Sequence, residues 1–285
     1  MNIGLIGLGL IGGSFGRTLV KKTQHKVYGF DINPAVMQKA DMLNAFHEVL
    51  TKDNAKDIDM LIVSVYPDYF ASAVEEFLPY LKKGAIVSDF SGVKESIIEK
   101  MKGYKEIYPD LVFIGGHPMA GREFSGIEHS ITTLFDKAFM ILVPINADIF
   151  VLSDVKNFYK DLGFLDVVIT TAENHDEMIA YTSQLCHIVS NAFIKNQTAE
   201  KHLGYSAGSY KDLTRVARLN PEMWSGLMIS NKDKLKKELD EFISNLQKYS
   251  IALESGSRED LEVLLKEGND RKLSIDVRSS KNNGN

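Results

Sequence analysis

The chain has 285 residues, of which 44% are hydrophobic and 25% charged, and 33 Lys and Arg against 38 Asp and Glu give a formal charge of −5. This length suits two domains, and an acidic balance without a long basic run argues against a nucleic-acid surface. No apolar stretch reaches the roughly 18 residues that suggest a membrane span.

The N-terminus is apolar but lacks a charged leader and a small-residue cleavage site, so it reads as a buried strand rather than a signal peptide. Short apolar runs follow at 2–7, 26–31, 59–65, 84–89, 111–116 and 138–144, each bounded by Gly, Asp or Pro. They read as buried strands. Helical segments between the first four predict βαβ units and a mostly parallel, doubly wound Rossmann-type α/β sheet. Residues 150–162 read as a further helix and 164–170 as a last strand.

Beyond Thr171 the periodicity is helical throughout. Met178, Thr182, Leu185, Val189 and Phe193 mark a helix over 173–198. Pro221 opens another, and its pattern predicts one long helix to about Leu253. Ser257 with Asp260 resembles a capping box opening a helix over 258–267. The expected organisation is a dinucleotide-binding domain at 1–171, an all-helical substrate-binding and dimerisation domain at 172–275, and a disordered polar tail at 276–285. So long a helix exposes apolar surface in a monomer, which points to an isologous homodimer through the helical half.

Gly7-Leu8-Gly9-Leu10-Ile11-Gly12 is a GxGxxG fingerprint between a strand and an apolar helix. Asp31 ends the next strand, 19 residues after Gly12. In that context the fingerprint predicts a dinucleotide site. Gly7 suits a tight turn, Gly9 a close backbone approach to a pyrophosphate, and Gly12 close helix–strand packing. Leu10 and Ile11 supply backbone N–H groups at the helix N-terminus. Asp31 accepts from ribose hydroxyls and repels a 2′-phosphate, so NAD is expected over NADP. Ser64 and Pro67, after the third run, complete the expected cofactor set.

Ligands gather at the carboxyl ends of such strands. The segment Gly115-Gly116-His117-Pro118 follows the fifth run, and His117 is the group there that titrates near neutrality. A neutral histidine suits removal of a hydroxyl proton during hydride transfer. His25, His47, His129, His175 and His202 read as solvated surface, and His187, mid-helix, as a buried structural histidine. No pair has HxxxH spacing, and Cys186 stands alone, so neither a metal site nor an intrachain disulfide is indicated. One cysteine fits a reducing cytoplasm.

GGHPMAGRE at 115–123 resembles the signature of the prephenate/arogenate dehydrogenases. The likeness continues in SQLCH at 183–187, in KDLTRVA at 211–217, and in PEMW at 221–224. It covers about residues 1–270. The resemblance implies NAD-dependent oxidative decarboxylation of prephenate, a dianion, to 4-hydroxyphenylpyruvate and CO2 in tyrosine biosynthesis, with arogenate as the alternative substrate. It implies no metal, and tyrosine as a feedback inhibitor. His117 matches the family's catalytic histidine, Arg215 its substrate-binding arginine, His187 a histidine near the substrate side chain, and Trp224 a pocket-wall aromatic.

Three positions depart from the family pattern. Its serine partner of the catalytic histidine aligns with Gly92, and Ser91, one place earlier, is the substitute expected here. Cys186 replaces a proline, which restores an N–H and is expected to straighten the helix; it reads as a packing residue. Arg122 replaces a small or hydroxyl residue, whereas Lys94 keeps the family position and reads as solvated. The rivals are a β-hydroxyacid or imine reductase, of which the hydroxyacid enzymes use a helical Lys base with a nearby Asn that Lys195 and Asn196 imitate poorly, and a non-catalytic NAD sensor.

Overall fold

The computed structural model describes residues 1–282, with side chains to 277. Its contacts divide the chain into a unit at 1–232 and a second at 233–285.

The first unit holds eight strands in the order β3-β2-β1-β4-β5-β6-β7-β8. They are β1 (Asn2–Ile6), β2 (Lys26–Phe30), β3 (Glu48–Val49), β4 (Met60–Val63), β5 (Ile86–Asp89), β6 (Val112–Pro118), β7 (Phe139–Pro144) and β8 (Asp166–Ile169). All neighbours pair parallel except β6 and β7. This is the mostly parallel α/β sheet the sequence predicts, plus a two-residue edge strand too short to carry a pattern. The helices are α1 (Leu10–Lys22), α2 (Pro34–Met42), α3 (Phe70–Glu75), α4 (Glu95–Ile107) and α5 (Ile149–Asp161).

Strand side chains alternate between two cores. Ile3, Leu5, Met60, Ile62, Met140 and Leu142 pack with Phe15 of α1 and Phe158 and Tyr159 of α5. Ile6, Leu61, Val63, Val87 and Phe113 pack with Phe70 of α3 and Ile97 and Met101 of α4. The period of two along the strands thus buries both faces, as a parallel sheet covered by helices requires.

After β8 no strand occurs among the described residues. Thr171 caps α6 (Ala172–Ile179) by accepting from the Asn174 N–H at 3.2 Å. A π turn over 180–185 follows, then α7 (Cys186–Phe193), α8 (Gly208–Thr214) and α9 (Pro221–Ser230). The second unit is α10 (Lys232–Ser255) and α11 (Arg258–Asn282).

Three expectations change. The helix over 173–198 carries a π turn immediately before Cys186, so the restored N–H does not straighten it, and Cys186 is exposed rather than packed. The single helix from Pro221 to Leu253 is broken at Asn231, because that side chain is drawn away from the helix surface into a buried hydrogen-bond network. The tail reads differently in part. Residues 276–282 continue α11, well past the predicted end at 267, and 283–285 lie outside the described residues.

Candidate active site

β1, β4, β5 and β6 run parallel, so their carboxyl ends line one edge of the sheet. The order reverses between β1 and its two neighbours, β2 and β4. A crevice at this switch point is where such sheets bind ligands.

Gly7 leaves β1 at φ +85°, a conformation that disfavours side chains, and a Cβ there would strike the Ser64 carbonyl. A Cβ on Gly12 would collide with the Gly7 carbonyl oxygen, so α1 packs at backbone distance against the turn. At Gly9, by contrast, a Cβ would meet nothing within 4 Å, which leaves open space over the turn. Gly9 caps α1 without a side-chain bond, and no acidic residue lies in the first turn. The N–H groups of Leu10, Ile11 and Gly12 therefore remain for an anion, supported by the helix dipole. This cradle fits a dinucleotide pyrophosphate.

Asp31 follows β2. Its carboxylate accepts from the Leu8 N–H and from the Asn33 N–H, both at 2.9 Å. It thereby ties the glycine turn to the end of β2 and keeps further lone pairs for ribose hydroxyls. The Ser64 N–H extends the sheet to the Ile6 carbonyl at 2.7 Å. Pro67 is buried, and its carbonyl accepts from Lys100 Nζ at 3.1 Å, so it contributes shape rather than a polar contact.

His117 lies near the end of β6, half-buried. Its Nδ1 is 2.9 Å from Nε2 of His175, and His175 Nδ1 is 2.6 Å from Asp176 Oδ1. Asp176 also accepts from the Lys94 N–H at 2.7 Å and the Glu95 N–H at 2.9 Å. It thus caps α4 from α6, because α4 has no side-chain cap of its own. Burial opposes its ionisation, but the His175 bond and the two backbone donors outweigh burial and hold its carboxyl below the ordinary value. Burial, with His175 and Lys94 nearby, pushes His117 well below its ordinary value, so the ring is neutral at neutral pH.

His175 is therefore not solvated surface but 1% exposed. Lys94 likewise is 0% exposed and forms a buried ion pair with Asp89. The other oxygen of Asp89 accepts from the Gly116 N–H at 3.1 Å and so holds β6 next to His117. Ser91 is the position the structure corrects. Asp89 captures the Ser91 backbone N–H at 2.8 Å, the Ser91 hydroxyl is buried without a hydrogen-bond partner, and the ring partner of His117 is His175.

The remaining residues gather on α7, α8 and α9. His187 Nδ1 bonds the Val216 carbonyl at 3.1 Å, and its ring lies 3.9 Å from that of Trp224. The Nδ1–H is committed, which leaves Nε2 as an acceptor. Burial lowers the His187 pKa, opposed by the Val216 bond and reinforced by nearby Arg215. Arg215, 66% exposed at its side chain, donates to Glu123 at 2.9 Å and so connects the end of α8 to the loop after β6. Arg122 turns away to the His129 carbonyl at 2.9 Å. Lys195 and Asn196 are exposed beyond α7. The described residues hold no His, Cys, Asp and Glu group suited to a metal ion.

The family model for the prephenate dehydrogenase nucleotide-binding domain matches residues 15–168, and that for the prephenate dehydrogenase dimerization domain matches 171–267. The first match starts inside α1, so the glycine turn stands on its own geometry. A cyclohexadienyl dehydrogenase of Zymomonas mobilis is 28% identical over 284 residues, covering 96% of each chain. A prephenate dehydrogenase of Bacillus subtilis is 28% identical over 290 residues, covering 96% of this chain and 76% of that one. The crystal structure of prephenate dehydrogenase from A. aeolicus with hydroxyphenyl propionate and NAD+ superposes with a TM-score of 0.82 at 29% identity, over 96% of this chain and 98% of that one.

Proposed function

The chain belongs to the prephenate dehydrogenase family of NAD-dependent oxidoreductases, and from that premise we propose that it converts prephenate to 4-hydroxyphenylpyruvate, CO2 and NADH with His117 as the base. The observation that carries this reading is the hydrogen-bond chain behind His117, which commits Nδ1 and leaves Nε2 free to accept a proton.

Bound NAD supplies the acceptor for the hydride that leaves the ring carbinol carbon. His117 Nε2 takes the carbinol hydroxyl proton, the ring carboxylate departs as CO2, its bonding electrons complete the aromatic ring, and the phenolate oxygen so formed takes a proton back to give the phenol of the product. Arg215 offers a forked guanidinium to a substrate carboxylate, which must displace Glu123 from it. His187 and Trp224, whose rings lie 3.9 Å apart, are proposed to flank the rest of the substrate. Gly7, Gly9, Leu10, Ile11 and Gly12 hold the pyrophosphate, and Asp31 the adenosine ribose. Tyrosine retains the product's phenol and carboxylate, so it is proposed to compete for the same groups. The active form is proposed to be a homodimer through the helical half. No described helix is long and apolar enough to cross a membrane, and a cytoplasmic enzyme is proposed.

The test follows NADH absorbance with prephenate and with arogenate, each with NAD and with NADP. Turnover of prephenate with NAD is expected. Turnover of arogenate alone would move the substrate assignment, and turnover of neither would remove the activity.

A further inference from the structure

His175 and Asp176 have no part in the chemistry outlined so far, yet both are among the most deeply buried polar residues in the chain. They stand behind His117 in an unbroken line: His117 Nδ1 to His175 Nε2 at 2.9 Å, then His175 Nδ1 to Asp176 Oδ1 at 2.6 Å. We propose that His175 is a positioning and proton-accepting residue for His117, forming with Asp176 a histidine–histidine–carboxylate relay in place of a serine contact. The proposal rests on the reading of His117 as the base.

The proton positions follow from the partners. Asp176 receives donors on both oxygens, from Lys94 N, Glu95 N and His175 Nδ1, so it is an ionised acceptor. His175 must then carry its proton on Nδ1, and when neutral its Nε2 can only accept. The His117 proton is therefore on Nδ1, and the lone pair on Nε2 faces away from the relay. A ring without such a partner would divide itself between two tautomers, one of them inert as a base at Nε2.

The relay also has somewhere to put the proton. When His117 Nε2 gains the carbinol proton, His117 Nδ1–H can pass its own to His175 Nε2. His117 is then neutral again with its proton on Nε2, and the cationic ring is His175, in contact with the Asp176 carboxylate. Across the two transfers one O–H and one N–H bond break and two N–H bonds form, and no electrons change hands. The other charged groups around the line are the Asp89–Lys94 pair, in which each charge is already matched by the other. Asp176 is thus the carboxylate left to balance a cation on His175. It is held rigidly, since its side chain caps α4 and its backbone carbonyl accepts from Asn231 Nδ2 at 2.8 Å. The serine that the family pattern would place against His117 has no counterpart here: position 92 is Gly, and the Ser91 N–H is bound by Asp89.

Two variants separate holding from proton transfer. In His175→Gln the amide oxygen can still accept from His117 Nδ1 but cannot take the proton. In His175→Phe both functions go. For the Phe variant kcat should fall by about 10²-fold or more, within the range for general acid–base groups, with the Kd for NAD unchanged. The Gln variant should fall between Phe and wild type. The acid limb of kcat/KM should move to lower pH in both, because the proton can no longer settle on the ring paired with Asp176, a loss that outweighs the relief from the His175 charge that helps hold His117 low. A purely structural role would lower the level of the profile without moving that limb, and an unmoved limb overturns the proposal. Histidine-ring 15N NMR gives a readout independent of turnover. It should show one His117 tautomer, protonated at Nδ1, in wild type and in His175→Gln, and a tautomer mixture in His175→Phe. A mixture in wild type overturns the relay. A single tautomer in a protein that does not oxidise prephenate leaves the relay standing and overturns the substrate reading instead.

Discussion

At His117 the ring has one nitrogen committed to His175 and the other free, and that asymmetry makes the residue testable. In His117→Asn the base is gone while the glycine turn is untouched. Stopped-flow or steady-state assays should show kcat lower by about 10²- to 10⁴-fold, with NAD affinity retained; wild-type turnover would remove His117 from the reaction. The pH dependence has a defined sign. Burial, His175 and Lys94 hold the folded value well below 6.5, so the neutral base persists to well below that pH. For stability, the unfolded ring binds a proton at a pH where the folded ring does not. Stability therefore rises with pH across the window between the depressed folded value and 6.5, and acidification through that window destabilises the fold. Arg215 is a contrasting case. It is exposed and already paired with Glu123, so its loss should cost little stability. Arg215→Ala should raise KM for prephenate by about tenfold, the scale of one charge-assisted contact, with kcat little changed; an unaltered KM would place the substrate carboxylate elsewhere. Asp31→Ala should narrow the NAD over NADP preference, measured as the ratio of kcat/KM for the two cofactors. Its two backbone partners, Leu8 and Asn33, lose their acceptor as well, so some loss of NAD affinity should accompany it.

At the element scale, what holds the site is a set of contacts between segments distant in sequence. Asp176 on α6 caps α4, some 80 residues earlier. Asn231, at the break between α9 and α10, donates to the Asp176 carbonyl at 2.8 Å and to Gln184 in the π turn at 2.9 Å. Gln184 in turn donates to the Leu227 carbonyl at 3.0 Å. Asn231→Ala would leave two buried acceptors without their donor, at a cost of about 1–3 kcal/mol. Thermal unfolding should show a clear fall in Tm, and kcat should fall because Asp176 is less firmly held; an unchanged Tm would argue that water replaces the amide. The same contacts explain which parts of the site could be read beforehand. The strands and the Gly7–Asp31 unit announce themselves locally, through apolar runs and a fixed spacing. His117 does so too, from its place in a glycine-rich strand end. His175 does not. Its neighbours Glu173, Asn174 and Asp176 are all polar, and its burial comes from tertiary contacts, among them that with His117 of β6. Lys94 is misleading for the same reason, since its counter-ion at Asp89 is five residues away yet reaches it only after the chain leaves β5. Periodicity likewise runs straight through Asn231, because an apolar pattern records a face and not a hydrogen bond that interrupts it.

At the scale of the whole molecule, the helical half presents apolar side chains that one chain does not cover. Ile243, Leu246 and Leu253 on α10 follow one another at spacings of three and seven, which places them on one helical face, and all are exposed. On α11, Val263, Leu265 and Leu273 are exposed too. On the first unit, Met178 of α6, Tyr181 of the π turn and Phe193 of α7 are exposed as well. Exposed apolar patches on this scale mark interaction surfaces, and residues 171–267 match a dimerization domain. A second copy of the chain is the proposed cover, since an isologous interface places each such face against a self-complementary one. Leu246→Arg is a suitable probe. The side chain is already 52% exposed, so its replacement opens no cavity in the chain's own core. At an interface core, however, it would bury an unpaired cation. A cost of 2 kcal/mol or more, the threshold for an interface hot spot, corresponds to a weakening of dimerisation by about 30-fold. Sedimentation equilibrium should show wild type as a dimer at micromolar concentration and the variant shifted toward monomer, with far-UV circular dichroism unchanged in strand signal. A wild-type protein that sediments as a single chain would overturn the dimer, and a variant as dimeric as wild type would move the interface off this face of α10.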